Sequence, residues 1–152
     1  MTRINLVHPS KLADQHLFAE WREIKHIPAF LNQLLAKGRT TAEIKANISE
    51  RFTLNKGHKY FFVDKMRFIN DRYSLLYYEL IHRKYEVAYD IEKWWDSIKD
   101  FPREFVNDYK PDELAMFSSN ERIIERISQR PDWYRYKGEI KDVKFFTDLL
   151  YS

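Results

Sequence analysis

The chain has 152 residues, 44% hydrophobic and 32% charged, with a formal net charge of +3 and no cysteine. That balance suits one domain with its own core and excludes a disordered chain, while the missing thiols exclude disulfides, cysteine nucleophiles, cysteine-ligated zinc and thiolate-held iron–sulfur clusters. Three glycines are too few for a glycine-rich phosphate loop, a dinucleotide fingerprint or a glycine-centred DNA-binding hairpin. With no signal-like start and no long apolar run, a cytoplasmic protein without membrane association is expected.

A first helical pattern runs from about Asp14 to Lys37, with Leu17, Trp21, Ile24, Leu31 and Leu34 recurring at helical spacing. Gly38 stands where a C-terminal cap belongs, and Pro28 predicts a kink or a break. A polar stretch follows over about 39–57, and KYFFV is predicted to begin as a short extended segment. In the second helix Phe62, Met66, Ile69, Tyr73, Leu76 and Leu80 form one apolar stripe, with Asp64 near its start and the basic HRK near its end. An irregular stretch over about 86–111 leads to a third helix from about Asp112 to Arg130, which Pro131 ends. The tail VKFFTDLLYS predicts a short packed helix. The fold expected is all-α: a compact single domain, 1–152, of about three main helices, irregular connections and a C-terminal aromatic and basic segment.

Four features can carry chemistry. Thr2 follows Met1, and removal of the methionine would expose a threonine α-amine. An α-amine has a pKa of about 7.7–8.0 against about 10.4 for lysine, so roughly a third is unprotonated near pH 7.5. Such an amine is ready for Schiff-base chemistry on a sugar carbon. In ADQHLFAEWREIKH, His16, Glu20 and Glu23 share one helix face, with Arg22 and His26 four apart beside it. A carboxylate at the margin of an apolar stripe can serve as general acid or base; the other reading is a solvated charged flank. Glu23-x-x-His26 and Glu79-x-x-His82 also match the motif of di-metal carboxylate bundles, with Glu43, Glu50, Glu121 or Glu125 available as further ligands. Finally, Arg122, Arg126 and Arg130 stack on one stripe of the third helix, partly offset by Glu121 and Glu125. In RPDWYRYKG, Trp133, Tyr134 and Tyr136 interleave with Arg130, Arg135 and Lys137. These groups suit phosphates and stacked bases, or equally an aromatic cluster closing the core.

Taken together, TRINL with LADQHLFAEWRE, then GHKYFFVDK, FPREFVNDYKP and RISQRPDWYRY, resemble in order the pyrimidine-dimer DNA glycosylase/abasic-site lyase family (phage endonuclease V-like). The resemblance covers about 1–138 and leaves 139–152 as a C-terminal extension. It implies a small all-α DNA repair enzyme that bends UV-damaged duplex and incises it at cyclobutane pyrimidine dimers without a cofactor or metal. By that resemblance the Thr2 amine attacks the sugar carbon of the dimer's 5′ nucleoside, an imine forms, the glycosyl bond breaks and β-elimination cuts the strand. Glu23 matches the family's essential glutamate, a stabiliser of cationic sugar character and a proton shuttle. Arg3, Gln15, His16, Arg22, Arg122 and Arg126 match positions implicated in damaged-DNA binding, and Trp133, Tyr134 and Tyr136 match the C-terminal aromatic block. Arg126 stands where the phage member has a lysine, and His26 where it has an arginine, which makes that phosphate contact pH-dependent.

The resemblance makes the partner double-stranded DNA carrying pyrimidine dimers or abasic sites, bound by a monomer. Two alternatives are a non-catalytic module for damaged or bent DNA and the di-metal carboxylate bundle. A threonine-nucleophile amidohydrolase needs strand-rich layers that the pattern does not supply.

Overall fold

The computed structural model describes residues 2–152; Met1, whose removal is expected from the sequence, lies outside the described residues. After an N-terminal segment and a 3-10 turn at Pro9–Lys11 come α1 (Asp14–Glu23), α2 (His26–Ala36), α3 (Thr41–Ala46), α4 (His58–Phe61), α5 (Met66–His82) and α6 (Ile91–Ile98). A second 3-10 turn at Arg103–Phe105 leads to α7 (Glu113–Gln129), a hairpin of β1 (Arg135–Tyr136) and β2 (Glu139–Ile140), and α8 (Val143–Leu150). The chain is mainly helical, in line with the all-α class. Among the described residues no helix is long and apolar enough to cross a membrane.

The first helical pattern is two helices, and the break falls at Ile24–Lys25, ahead of Pro28. The proline occupies the third position of α2, where an absent N–H costs no intrahelical bond. Gly38, at φ +80°, ends α2 as expected: its N–H bonds to Leu35 O while Arg39 N–H reaches Leu34 O, satisfying two terminal carbonyls.

KYFFV is not extended. Gly57, at φ +88°, turns the chain into α4, and Phe62 caps that helix rather than opening the next, so α5 starts at Met66. The stretches read as polar or irregular hold α3, framed by a Thr40/Glu43 capping box, and α6, whose N-cap is Asp90. Their brevity hides the helical period. The third pattern is α7, capped by Asp112, and the tail is α8, capped by Asp142.

The core is continuous. Leu17 of α1, Ile24 at the break, Ile27 and Leu31 of α2, Ile69, Leu76 and Leu80 of α5, Ile123 and Ile127 of α7 and Phe146 of α8 are all buried in it. Helix α1 packs on α5, and α8 on α7 and the first 3-10 turn. Trp21 is half-buried and stacks on Tyr73 at 4.7 Å, and Tyr73 stacks in turn on Trp94 of α6 at 3.9 Å.

A buried polar knot closes the start of α1. Arg83 donates to Asp14 (2.8 Å), to Glu79 (2.7 Å) and to the carbonyls of Pro9 and Ser10. The other donors to Asp14 are the Tyr85 hydroxyl and the N–H groups of Lys137 and Gly138. Lys137 and Gly138 both take positive φ, as a two-residue hairpin turn of the I′ type requires. Burial alone would raise the Asp14 pKa; the hydrogen bonds from Tyr85, Gly138, Arg83 and Lys137 outweigh it and bring it below the ordinary value.

Candidate functional site

The N-terminal segment is not part of any sheet, yet its amides are paired in sequence by side chains. Arg3 N–H donates to Glu23 Oε2 (3.2 Å), Ile4 N–H to His58 Nε2 (2.9 Å), Asn5 N–H to Glu20 Oε1 (3.3 Å) and Leu6 N–H to Ser119 Oγ (3.1 Å). Acceptors for the odd residues stand on α1, and those for the even residues on α4 and α7. This alternation follows from an extended backbone, whose successive N–H groups point to opposite sides. Residues 3–6 are thereby threaded through the helices, and Thr2 is delivered to the surface beside α1.

Glu20 and Glu23, equivalent by spacing, have different tasks. Glu20 is 1% exposed and takes both prongs of Arg72 (2.6 and 3.0 Å) together with the amide and side chain of Asn5. All its acceptor capacity is spent inside the fold. Glu23 is half-exposed and lines a cavity of about 330 Å³ with Arg3, Asn5, His16, Arg126 and Tyr134.

The cavity wall is positively charged. The Arg3 pKa is lowered first by burial and then by the charges of Arg122 and Arg126, with Glu23 and Glu125 opposing. Arg122 donates from Nη1 to Asn55 Oδ1 at 3.1 Å, while its buried Nε meets no partner. Arg130, the third of the stripe, lies 3.9 Å over the ring of Trp133. The His16 ring packs 4.8 Å from that of Tyr134, and its Nδ1 is buried without a hydrogen-bond partner. Burial, then the charges of Arg3 and Arg126, push the His16 pKa down to about 4, so the ring is neutral at physiological pH.

The aromatic block divides between the two readings open to it. Tyr134 is buried; Tyr136 is half-buried, under Arg83, and donates its hydroxyl hydrogen to Ser10 O. Trp133 is 42% exposed and borders a second cavity, of about 530 Å³, with Arg22. Gln15 stitches this block to α1, donating to Trp133 O (2.8 Å) and accepting from Arg135 N–H (3.0 Å). His26 is exposed and lies with its Nδ1 2.7 Å from the Thr2 hydroxyl.

The metal-bundle alternative is not supported by the donor groups. Glu79 is engaged by Arg83, His82 is exposed, and Glu43 is spent on its capping box. Among the described residues no three His, Asp or Glu side chains stand close enough together to hold a metal ion.

Sequence reasoning missed Asn5, His58, Arg72 and Ser119, which fix the segment behind Thr2. Asn5 and His58 lay within the quoted blocks TRINL and GHKYFFVDK, whereas Arg72 and Ser119 carried no local signal. When the chain is compared with protein families, residues 1–93 match the family model described as pyrimidine dimer DNA glycosylase.

Proposed function

The chain belongs to the pyrimidine dimer DNA glycosylase family, and from this premise and the site geometry we propose that it excises cyclobutane pyrimidine dimers through its Thr2 amine and then cuts the strand. Once methionine is removed, the Thr2 nitrogen attacks C1′ of the dimer's 5′ nucleoside. The glycosyl bond breaks with its electron pair going to the base, which takes the proton that the amine loses. The C1′–O4′ bond then opens as O4′ takes a proton from solvent, and a protonated imine joins Thr2 to C1′ of the ring-opened sugar. Glu23 removes a C2′ proton, the C3′–O bond breaks, and the phosphate leaves with the bonding pair. Water then hydrolyses the imine and restores the amine.

The observation that carries this reading is the 3.2 Å hydrogen bond from Arg3 N–H to Glu23 Oε2. It sets the half-exposed carboxylate of the cavity one peptide unit from the Thr2 nitrogen, where a single group can balance cationic sugar character and move the proton. Arg3, Arg122 and Arg126 hold DNA phosphates around that point, with Arg22 and Trp133 extending the contact along the duplex and neutral His16 lining the sugar's place. His26 supports the Thr2 hydroxyl; Gln15, Tyr134 and Tyr136 act by keeping the C-terminal block on α1.

A borohydride trap tests the reading. The methionine-processed protein, mixed with duplex carrying one cis-syn thymine dimer and reductant, yields an adduct that maps to Thr2 and survives EDTA. An adduct with an abasic-site duplex alone leaves the lyase and removes the dimer specificity. No adduct with either leaves a module that binds damaged DNA without chemistry.

A further inference from the structure

We propose that His58 is a positioning residue for this reaction, fixing the segment that carries the Thr2 amine through its hydrogen bond with Ile4; the inference rests on Thr2 being the nucleophile. His58 is 2% exposed and its ring is held at both nitrogens. Nε2 faces the Ile4 N–H at 2.9 Å, and Nδ1 faces the Thr53 carbonyl at 2.8 Å. One protonation state satisfies both partners: the neutral ring with its hydrogen on Nδ1, donating to Thr53 and accepting from Ile4. Phe52 and Phe62 pack edge-on against it at 5.6 and 5.2 Å, so the ring cannot swing away without opening the core.

The clamp acts on the side of the segment opposite α1. Glu23 draws the Arg3 amide toward α1, and His58 holds the next amide toward α4. Without the second hold, Thr2 swings about the bond to Glu23. Thr2 and His58 also line one cavity of about 410 Å³, so the clamp sits at the nucleophile's own wall.

Protonation of Nε2 would set an N–H against the Ile4 N–H and release the segment. Burial lowers the pKa of the ring; the Thr53 carbonyl works the other way, and the charges of Arg3 and Arg122 add to the lowering. Lys59 and Tyr60 on its own helix and His26 of α2 are the other titratable side chains lining the cavity. The clamp is therefore closed at neutral pH and opens on the acid side.

His58→Leu keeps the packing and removes the acceptor. The expected result is a single-turnover trapping rate on dimer duplex lower by roughly 10- to 100-fold, with the dissociation constant for that duplex unchanged and partial recovery in His58→Gln, which restores an acceptor. A His58→Leu protein that traps at the wild-type rate, or that loses binding in proportion to trapping, overturns the proposal. Failure of the wild-type protein to trap overturns the nucleophile assignment instead. Should His58→Leu not fold, the wild type decides. The Ile4 amide and the His58 ring nitrogens, followed by NMR, are expected to shift together as His58 takes a proton, and trapping, corrected for the protonated fraction of the Thr2 amine, is expected to fall over the same pH range. Trapping that persists through that shift overturns the proposal.

Discussion

Glu23 reaches Arg3 through a backbone amide: the Arg3 N–H donates to Glu23 Oε2 at 3.2 Å, and the Glu23 charge also acts on the Arg3 guanidinium, opposing the lowering of its pKa by burial. The bond ties the carboxylate to the peptide next to Thr2, so the two groups of the proposed reaction share one rigid anchor. Arg3 and Arg126 line the same cavity. A carboxylate placed this way can follow charge as it develops on a sugar held at the terminus.

Glu23→Gln keeps the acceptor for the Arg3 amide and removes the charge. We expect trapping and strand cutting to fall by about 10²–10⁴-fold with binding to dimer-containing duplex retained. Turnover at the wild-type rate on an incision gel refutes the assignment.

Extending the terminus by one residue before Thr2 converts the amine to an amide, which has no lone pair for attack. Such a protein should bind damaged duplex and form no borohydride adduct; an adduct of undiminished yield, located by mass spectrometry on a lysine, would transfer the nucleophile elsewhere.

Arg72→Met removes the partner of the buried Glu20 and leaves an uncompensated charge. Breaking a buried pair costs about 3–5 kcal/mol, a fall in Tm on the order of 10 °C for a chain of this size. Calorimetry of the variant checks it. A Tm within a degree of wild type contradicts the central place given to this pair.

His16 is neutral in the folded protein down to about pH 4, whereas in the unfolded chain it takes a proton near pH 6.5. Its folded pKa is depressed, so its protonation draws toward the unfolded state as pH falls from about 6.5 to about 4. Stability therefore drops by about 1.4 kcal/mol per pH unit in that window. Denaturant titrations of His16→Gln should lose that slope. An unchanged slope would mean that His16 is charged in the fold.

Arg126 is exposed at the cavity mouth. Arg126→Gln is expected to weaken binding to damaged and undamaged duplex alike and to reduce the salt slope of log K by about 0.9. A loss confined to dimer-containing duplex would make Arg126 a lesion reader rather than a phosphate contact.

The sequence by itself determined the helical class and the long elements. The stripes Leu17–Ile24–Leu31 and Ile69–Leu76–Leu80 repeat over enough turns to be legible, and all six side chains are buried as the period requires. Gly38 and Pro131 marked two helix ends because their backbone preferences act locally. The short helices α3, α4 and α6 escaped notice, since one or two turns carry no period. The terminus and the candidate carboxylates were also on view, but spacing put Glu20 and Glu23 on the same face without ranking them, and it was the family resemblance that singled out Glu23. The tertiary structure separates their surroundings. Arg72, 52 positions along the chain from Glu20, neutralises that carboxylate in the core, while Glu23 is half-exposed and lines the cavity. The clamp on residues 3–6 was invisible for the same reason. His58 and Ser119 reach the segment across 54 and 113 positions, and a hydrogen bond between distant residues leaves no pattern in either neighbourhood. Periodicity records which face a helix buries; only the folded chain records which polar groups find each other there.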